Sequence, residues 1–171
     1  MAKWNVRLPL IGAATGSHKV GLEIVSATET TLFTLSPNGS PNECPIEIPV
    51  LSPQGADVDV NHKPVIIRIR CFPNAGSGGT AITPVPVDRR IKRAAGFVVN
   101  RHTTPPGGTE EALVYEELMY PQSRLRDAYL DPQDGTTLAL LEPGKHYNFT
   151  VEFPWYASGV FDLAFRAMAR D

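Results

Sequence analysis

The sequence predicts an all-β chain: a single-domain antiparallel β-sandwich of jelly-roll type, with Pro/Gly-rich loops and an extended N-terminal arm. Three observations carry this reading. Glycine and proline number 14 and 16 of 171 residues, above the usual combined share of roughly 12%, and they are scattered rather than pooled in one linker. Proline so distributed excludes long helices and punctuates short extended segments. Several segments between these breakers alternate apolar and polar residues with period two, the mark of a strand with one buried face. Turn motifs separate the alternating runs, among them Ser36-Pro37-Asn38-Gly39, Asn74 to Gly79, Pro105-Pro106-Gly107-Gly108, Asp131 to Gly135 and Glu142-Pro143-Gly144-Lys145.

In chain order, residues 1–19 mix Trp4, Leu8, Leu10 and Ile11 with glycines and have little strand character, so they read as the arm. Residues 20–171 read as the sandwich. Strands are expected at Gly21–Val25, Thr30–Leu35, Pro45–Leu51, Ala81–Val87, Phe97–His102 and Thr136–Leu141. Pro49, Pro84 and Pro86 cannot donate to a ladder, which assigns their segments to edges or bulges. The run Pro64–Phe72 places Val65, Ile67, Ile69 and Cys71 on one face and Arg68 and Arg70 on the other. His146–Phe153 turns Tyr147, Phe149, Val151 and Phe153 toward a core and His146, Asn148, Thr150 and Glu152 away from it. Val160–Ala167 does the same with Phe161, Leu163 and Phe165. Thr109–Tyr120 fits a helix through its Val114/Leu118 and Tyr115/Met119 spacings, with Thr109 as cap. Leu113, Tyr115 and Glu117 fit a strand, and the strand is preferred.

Size and charge narrow the function. A chain of 171 residues and 18.6 kDa buries roughly 70% of its unfolded surface, so folding requires no metal or disulfide staple. No apolar run approaches the roughly 20 residues that cross a bilayer, and the first ten residues lack the apolar region of a secretory leader. Neither membrane nor nucleic acid is expected as a partner, since the net charge is −2 and a nucleic-acid binder carries a basic excess.

The residues capable of chemistry are not arranged for it. Cys44 and Cys71 have no paired spacing and read as buried reduced thiols, although a disulfide stays open. His18, His62, His102 and His146 are scattered. Adjacent carboxylates, as in Glu110/Glu111 and Glu116/Glu117, point to opposite faces of a strand and cannot flank a scissile bond; they read as solvated charge. Ser17 and Ser77 lie outside a nucleophile elbow, and Gly12–Lys19 misses the phosphate-loop pattern. No catalytic residue, cofactor or metal is therefore assigned. The sequons at Asn38 and Asn148 read as chance matches. One basic cluster, Asp88-Arg89-Arg90-Ile91-Lys92-Arg93, has no interleaved aromatics and suits an acidic protein surface better than nucleic acid. Pro154-Trp155-Tyr156 falls at a turn between two strands and offers Trp155 and Tyr156 as stacking rings for a sugar.

From Ile67 onward the order of features resembles a known group. A strand with Arg68 and Arg70 leads into the turn Gly76-Ser77-Gly78-Gly79 and then Thr80-Ala81-Ile82-Thr83-Pro84. Ala94-Ala95-Gly96, a Thr-rich turn at Asn100–Thr104, Glu142-Pro143-Gly144 and an alternating aromatic strand follow. Over roughly residues 60 to 170 this is similar to β-sandwich virion proteins of tailed bacteriophages, found as head decoration (cement) or related head and tail components. The acidic ending often seen in such chains is replaced here by Arg166-Ala167-Met168-Ala169-Arg170-Asp171.

The resemblance implies a non-enzymatic capsid decoration protein, made in the bacterial host cytoplasm and placed on the virion surface. Its partner would be the major capsid protein, and it would be a homo-oligomer with a trimer favoured. Contacts would come from the arm, through Trp4, Leu8, Leu10 and Ile11, and from the cluster, through Arg89, Arg90, Lys92 and Arg93. A tail, head-fibre or connector component is the alternative within the virion class. A carbohydrate-binding module using Trp155 and Tyr156 is the alternative outside it.

Overall fold

A computed structural model describes residues 2–7, 21–24, 27–38, 46–55, 63–120, 139–157 and 159–171, with backbone only for 7, 21–24, 46–55, 159–166 and 168. Among these residues there is no helix, and twelve strands run β1 (Lys3–Arg7), β2 (Gly21–Ile24), β3 (Thr30–Pro37), β4 (Ile46–Gly55), β5 (Val65–Phe72), β6 (Thr80–Ile82), β7 (Val85–Pro86), β8 (Phe97–Arg101), β9 (Ala112–Met119), β10 (Ala139–Leu141), β11 (His146–Glu152) and β12 (Gly159–Arg170). They form two antiparallel sheets. The first runs β10-β4-β12-β1-β7, with β2 also paired to β12, and the second β6-β8-β3-β11-β5-β9. Side chains from both sheets meet in one core, as the all-β expectation requires.

Alternation sets the second sheet. Val65, Ile67, Ile69 and Cys71 are buried while the residues between them are half-buried. Phe33 and Phe149, directly opposed on β3 and β11, stack at 4.6 Å between ring centroids. Strand β11 departs from simple alternation, because Asn148 and Thr150, on the face turned away from that core, are buried too. They lie on an inner strand, between β3 and β5, where polar neighbours shield them.

Prolines act where the ladder is interrupted. The register of β4 against β12 shifts between Met168 and Arg170, opposite Ile48 and Pro49. A bulge there absorbs the missing donor. The segment expected as one strand at Ala81–Val87 is instead two short strands in different sheets, broken at Thr83-Pro84, and each is terminal in its sheet. Within Thr109–Tyr120, Ala112–Met119 is a strand at the other end of the second sheet, with a register shift opposite Ile69/Arg70.

The arm expectation fails for its first part. Strand β1 pairs along its length with β12, Lys3 opposite Arg170 through Arg7 opposite Arg166, and touches β7 on its other side. Trp4 and Val6 are buried. Small Ala169 and Ala167 oppose them, and the Trp4 ring reaches across the sandwich to meet Phe97 edge-on at 6.5 Å. A free arm would leave that aromatic surface in water, so burial in the core wins. Leu8, Leu10 and Ile11 lie outside the described residues.

Two glycine loops interlock at one end of the second sheet. Asn74 bridges Gly107, and Ser77 bridges Thr104. Gly79 adopts a left-handed φ of 85°, and a Cβ on it would lie 1.8 Å from the Arg101 carbonyl oxygen. Gly107 has open space where a Cβ would go. Gly79→Ala is therefore expected to cost about 3 kcal/mol or more, and Gly107→Ala less than about 1 kcal/mol. Urea unfolding of the two variants checks this; equal midpoints would show that the loops do not interlock tightly.

Candidate functional site

Three groups of polar side chains need a reading: a charge ladder on the second sheet, a cysteine–tyrosine–lysine cluster beside it, and the basic loop at residues 88–93. On the outer face of the second sheet, Arg68 stands between Thr150 of β11 and Glu116 of β9, and Arg70 between Asn148 and Leu113. Arg68 binds Glu116 and Glu152 at 2.5 Å each and Glu29 at 3.2 Å. Arg70 forks onto Glu29 at 2.8 and 2.9 Å and holds Glu110 at 2.7 Å. The Thr150 hydroxyl donates to Glu29 as well. The turn that carries Glu29 includes Ala27 at a left-handed φ of 54°.

Four carboxylates thus converge on two guanidinium groups. Glu110 and Glu116 are tethered to them rather than merely solvated, which corrects the reading of those doublets: a cationic strand one position away captures both. Glu117 points to the other face, where the Tyr115 hydroxyl donates to it. Each of these acids is occupied by a partner, so none is left poised as a general acid or base.

Cys71 is a free, buried thiol. Its sulfur donates to Glu111 at 3.7 Å, the same carboxylate that holds Lys145 at 2.7 Å. Burial, with Glu111 adding to it, pushes the thiol above its ordinary value, which keeps it protonated and a poor nucleophile. Tyr147, whose oxygen accepts the Glu142 N–H at 2.7 Å, is pushed by burial up to about 12. Cys44, His18, His62 and Ser17 lie outside the described residues.

Ser36 and His146 form a pair that sequence reading missed, Oγ to Nδ1 2.8 Å. Burial, then the neighbouring His102, lowers His146 below its ordinary value, leaving it neutral at pH 7. Among the described residues the other ring nitrogen has no carboxylate to orient it, so the pair lacks the third member of a nucleophile relay. His102 sits against Gly76 and meets the Gly78 carbonyl at 3.2 Å. Asn148 is buried, so its sequon is closed in the folded chain.

The basic loop is held at both ends. Its start is tied by Val87 N–H to the Lys3 carbonyl at 2.9 Å, and its middle by Ile91 N–H to the Asp88 carbonyl at 3.1 Å. Arg90 forks back onto Asp88 at 2.7 to 3.0 Å. Arg93 forks onto Asp171 at 2.7 and 2.6 Å and lies over the Trp4 ring at 5.9 Å. The Gly96 N–H donates to the same carboxylate at 2.8 Å. Burial works against ionising Asp171, yet Arg93, Trp4 and the Gly96 N–H outweigh it and hold the carboxyl below the usual range.

The four cations expected to meet a partner therefore divide. Arg90 and Arg93 are engaged within the chain, because Asp88 and Asp171 lie within reach. Arg89 and Lys92 are exposed, and Val85 and Val87 beside them are 57% and 49% exposed. The two stacking rings divide as well. Trp155 is 50% exposed, whereas Tyr156 is buried, packed edge-on against Phe153 at 5.2 Å with its hydroxyl donating to the Lys63 carbonyl at 2.9 Å. The core takes Tyr156 and leaves Trp155 as the ring presented to solvent.

Comparison with family models, with curated proteins and with solved structures gives no match. Among the described residues, no group of three or more histidine, cysteine or acidic side chains is placed to hold a metal, and no helix is long and apolar enough to cross a membrane.

The ladder makes a prediction about acid. Burial raises Glu29, but the hydrogen bonds from Arg70 and Thr150 and the two guanidinium charges bring it below its ordinary value of 4.5. As pH falls, the unfolded chain takes up this proton first. The stabilisation is therefore complete above the ordinary value and lost as the folded carboxyl titrates below it. Glu29→Gln is expected to cost about 1–3 kcal/mol at pH 7, with the gap from wild type closing below about pH 4. Urea titrations at pH 7 and pH 3 check it; a gap that does not change with pH would remove the ladder as a source of stability.

Proposed function

We propose that this chain is a structural virion protein of a tailed bacteriophage, a decoration protein that binds the outside of the major capsid protein shell and stabilises it, most simply as a trimer. The observation that supports it best is the pinned basic loop. Asp171, Trp4 and Lys3 hold residues 87–96 against the ends of β1 and β12, so Arg89 and Lys92 are displayed beside Val85 and Val87 without further ordering. A preorganised loop loses little entropy on docking, and a display of cations with apolar neighbours suits an acidic, partly apolar patch on the shell. Repetition of the site on an icosahedral surface, and within an oligomer, raises weak contacts to useful avidity. The resemblance over residues 60–170 supplies the virion class. Trp155, half exposed at the β11–β12 turn, supports a second reading as a carbohydrate-binding module with a single stacking ring.

The deciding experiment is cosedimentation of purified protein with undecorated shells across a salt series. Saturable binding at a fixed copy number per capsid subunit, weakening as salt screens the loop, is the expected result. Arg89→Glu with Lys92→Glu is expected to weaken binding by about tenfold or more, the equivalent of about 1.4 kcal/mol, with unchanged unfolding. Absence of binding at every salt concentration overturns the decoration reading; glycan-dependent quenching of Trp155 fluorescence would then favour the second.

A further inference from the structure

One row of buried oxygens on the second sheet has no hydrogen-bond partner among the described residues. Thr34 of β3 lies directly opposite Asn100 of β8 on one side and Asn148 of β11 on the other, and all three point away from the core that holds Phe33, Val99 and Phe149. Thr34 is 1% exposed and Asn148 is 6% exposed. The Thr34 hydroxyl and the carboxamide oxygens of Asn100 and Asn148 are shut off from solvent and make no hydrogen bond. The Asn148 Nδ2 lies 3.0 Å from the Thr31 hydroxyl, to which it donates. The Asn148 oxygen is the atom left over. Buried polar groups of native proteins are almost always paired, so three unpaired oxygens on consecutive strands call for an occupant.

We infer that the Asn100–Thr34–Asn148 row binds one internal water molecule, which donates to both carboxamide oxygens and accepts from the Thr34 hydroxyl. Opposed Cβ atoms are about 5 Å apart, so Thr34 stands midway between the two asparagines, and the water is placed over its hydroxyl on the outer face of the sheet, between the two flanking carboxamides. Two donated bonds and one accepted bond are the usual complement of a buried water. A metal ion suits the row less well, because its oxygens are neutral and the Arg70 guanidinium stands next to Asn148 in the same row. Burial of Thr34 and Asn148 closes the site to anything as large as a sugar. Ser36 and His146, the next pair along the same two strands, satisfy each other and compete for nothing in the row.

The test is a crystal structure of the wild-type protein at a resolution that shows ordered solvent. The expected result is one peak within about 3.2 Å of all three oxygens. Direct bonds among the three side chains, an empty site, or contacts near the roughly 2.4 Å of a bound calcium would each overturn the inference. In solution, water-to-protein NOEs of a long-lived water are expected at the Asn148 side-chain amide, lost in Thr34→Val and retained in Thr80→Val on the exposed edge of the same sheet. Retention of those NOEs in Thr34→Val would also overturn it. Should Thr34→Val fail to fold, the wild-type crystal structure decides alone.

Discussion

Strand β11 is buried on both faces, and much of the second sheet follows from meeting that constraint. On the core side the demand is simple: Tyr147, Phe149, Val151 and the following Phe153 fill space against β3, β5 and the opposite sheet. On the other side Asn148 and Thr150 leave water, and a buried polar atom without a partner costs about 1–3 kcal/mol. Thr150 is satisfied by Glu29. A half-buried carboxylate then needs its own compensation, and Arg70 and Arg68 supply it. Those guanidinium groups in turn draw in Glu152, Glu110 and Glu116. The ladder thus reaches Thr150 on a central strand through Glu29, and it fastens the edge strand β9 and the turn before β3 to the middle of the sheet.

Legibility in the sequence tracks how local the cause is. Alternation in β5 and on the core face of β11 was readable because period two is a property of a few adjacent residues. The bulge at Pro49 was readable for the same reason, since a missing N–H acts where it stands, whereas the split of Ala81–Val87 between two sheets was not, because it depends on where β1 and β8 lie. The fate of a charged or aromatic side chain depends on residues far away in the chain. Arg68 gives no sign in its own segment that Glu29 and Glu152 will reach it. Trp4 reads as an exposed anchor until β12 supplies Ala169 and β8 supplies Phe97. The doublet at Glu116 and Glu117 was correctly seen to split between two faces, yet the partner of each came from folding.

The same distinction explains the basic cluster. Six consecutive residues read as one patch, but two of its four cations, Arg90 and Arg93, pair with Asp88 and Asp171 inside the chain. What those pairs contribute is geometry. The Arg90–Asp88 fork is exposed and contributes little to stability, while Arg93 is sandwiched between a mostly buried carboxylate and an indole ring and holds the loop where it is. A substitution at Arg93 would therefore be a poor probe of binding, because it would also loosen the loop that displays Arg89 and Lys92.

The edges of the second sheet bear on how the partner proposed above would approach. Strand β9 carries a bulge and has four acidic side chains in or beside it, devices by which sheets discourage strand addition. At the opposite end β6 is three residues long and is followed at once by Pro84. Among the described residues, charge and the bulge disfavour strand addition at β9, and β6 is too short to offer a long ladder to a second chain. Recognition at such a surface falls to side chains on loops, where charge steers the encounter and apolar neighbours hold it. The loop at residues 87–93 meets those terms through its two exposed cations and through Val87 at its start. Its attachment to β1 and β12 means that a load on Arg89 or Lys92 is carried into the core of the sandwich through Trp4, and not into a flexible tail.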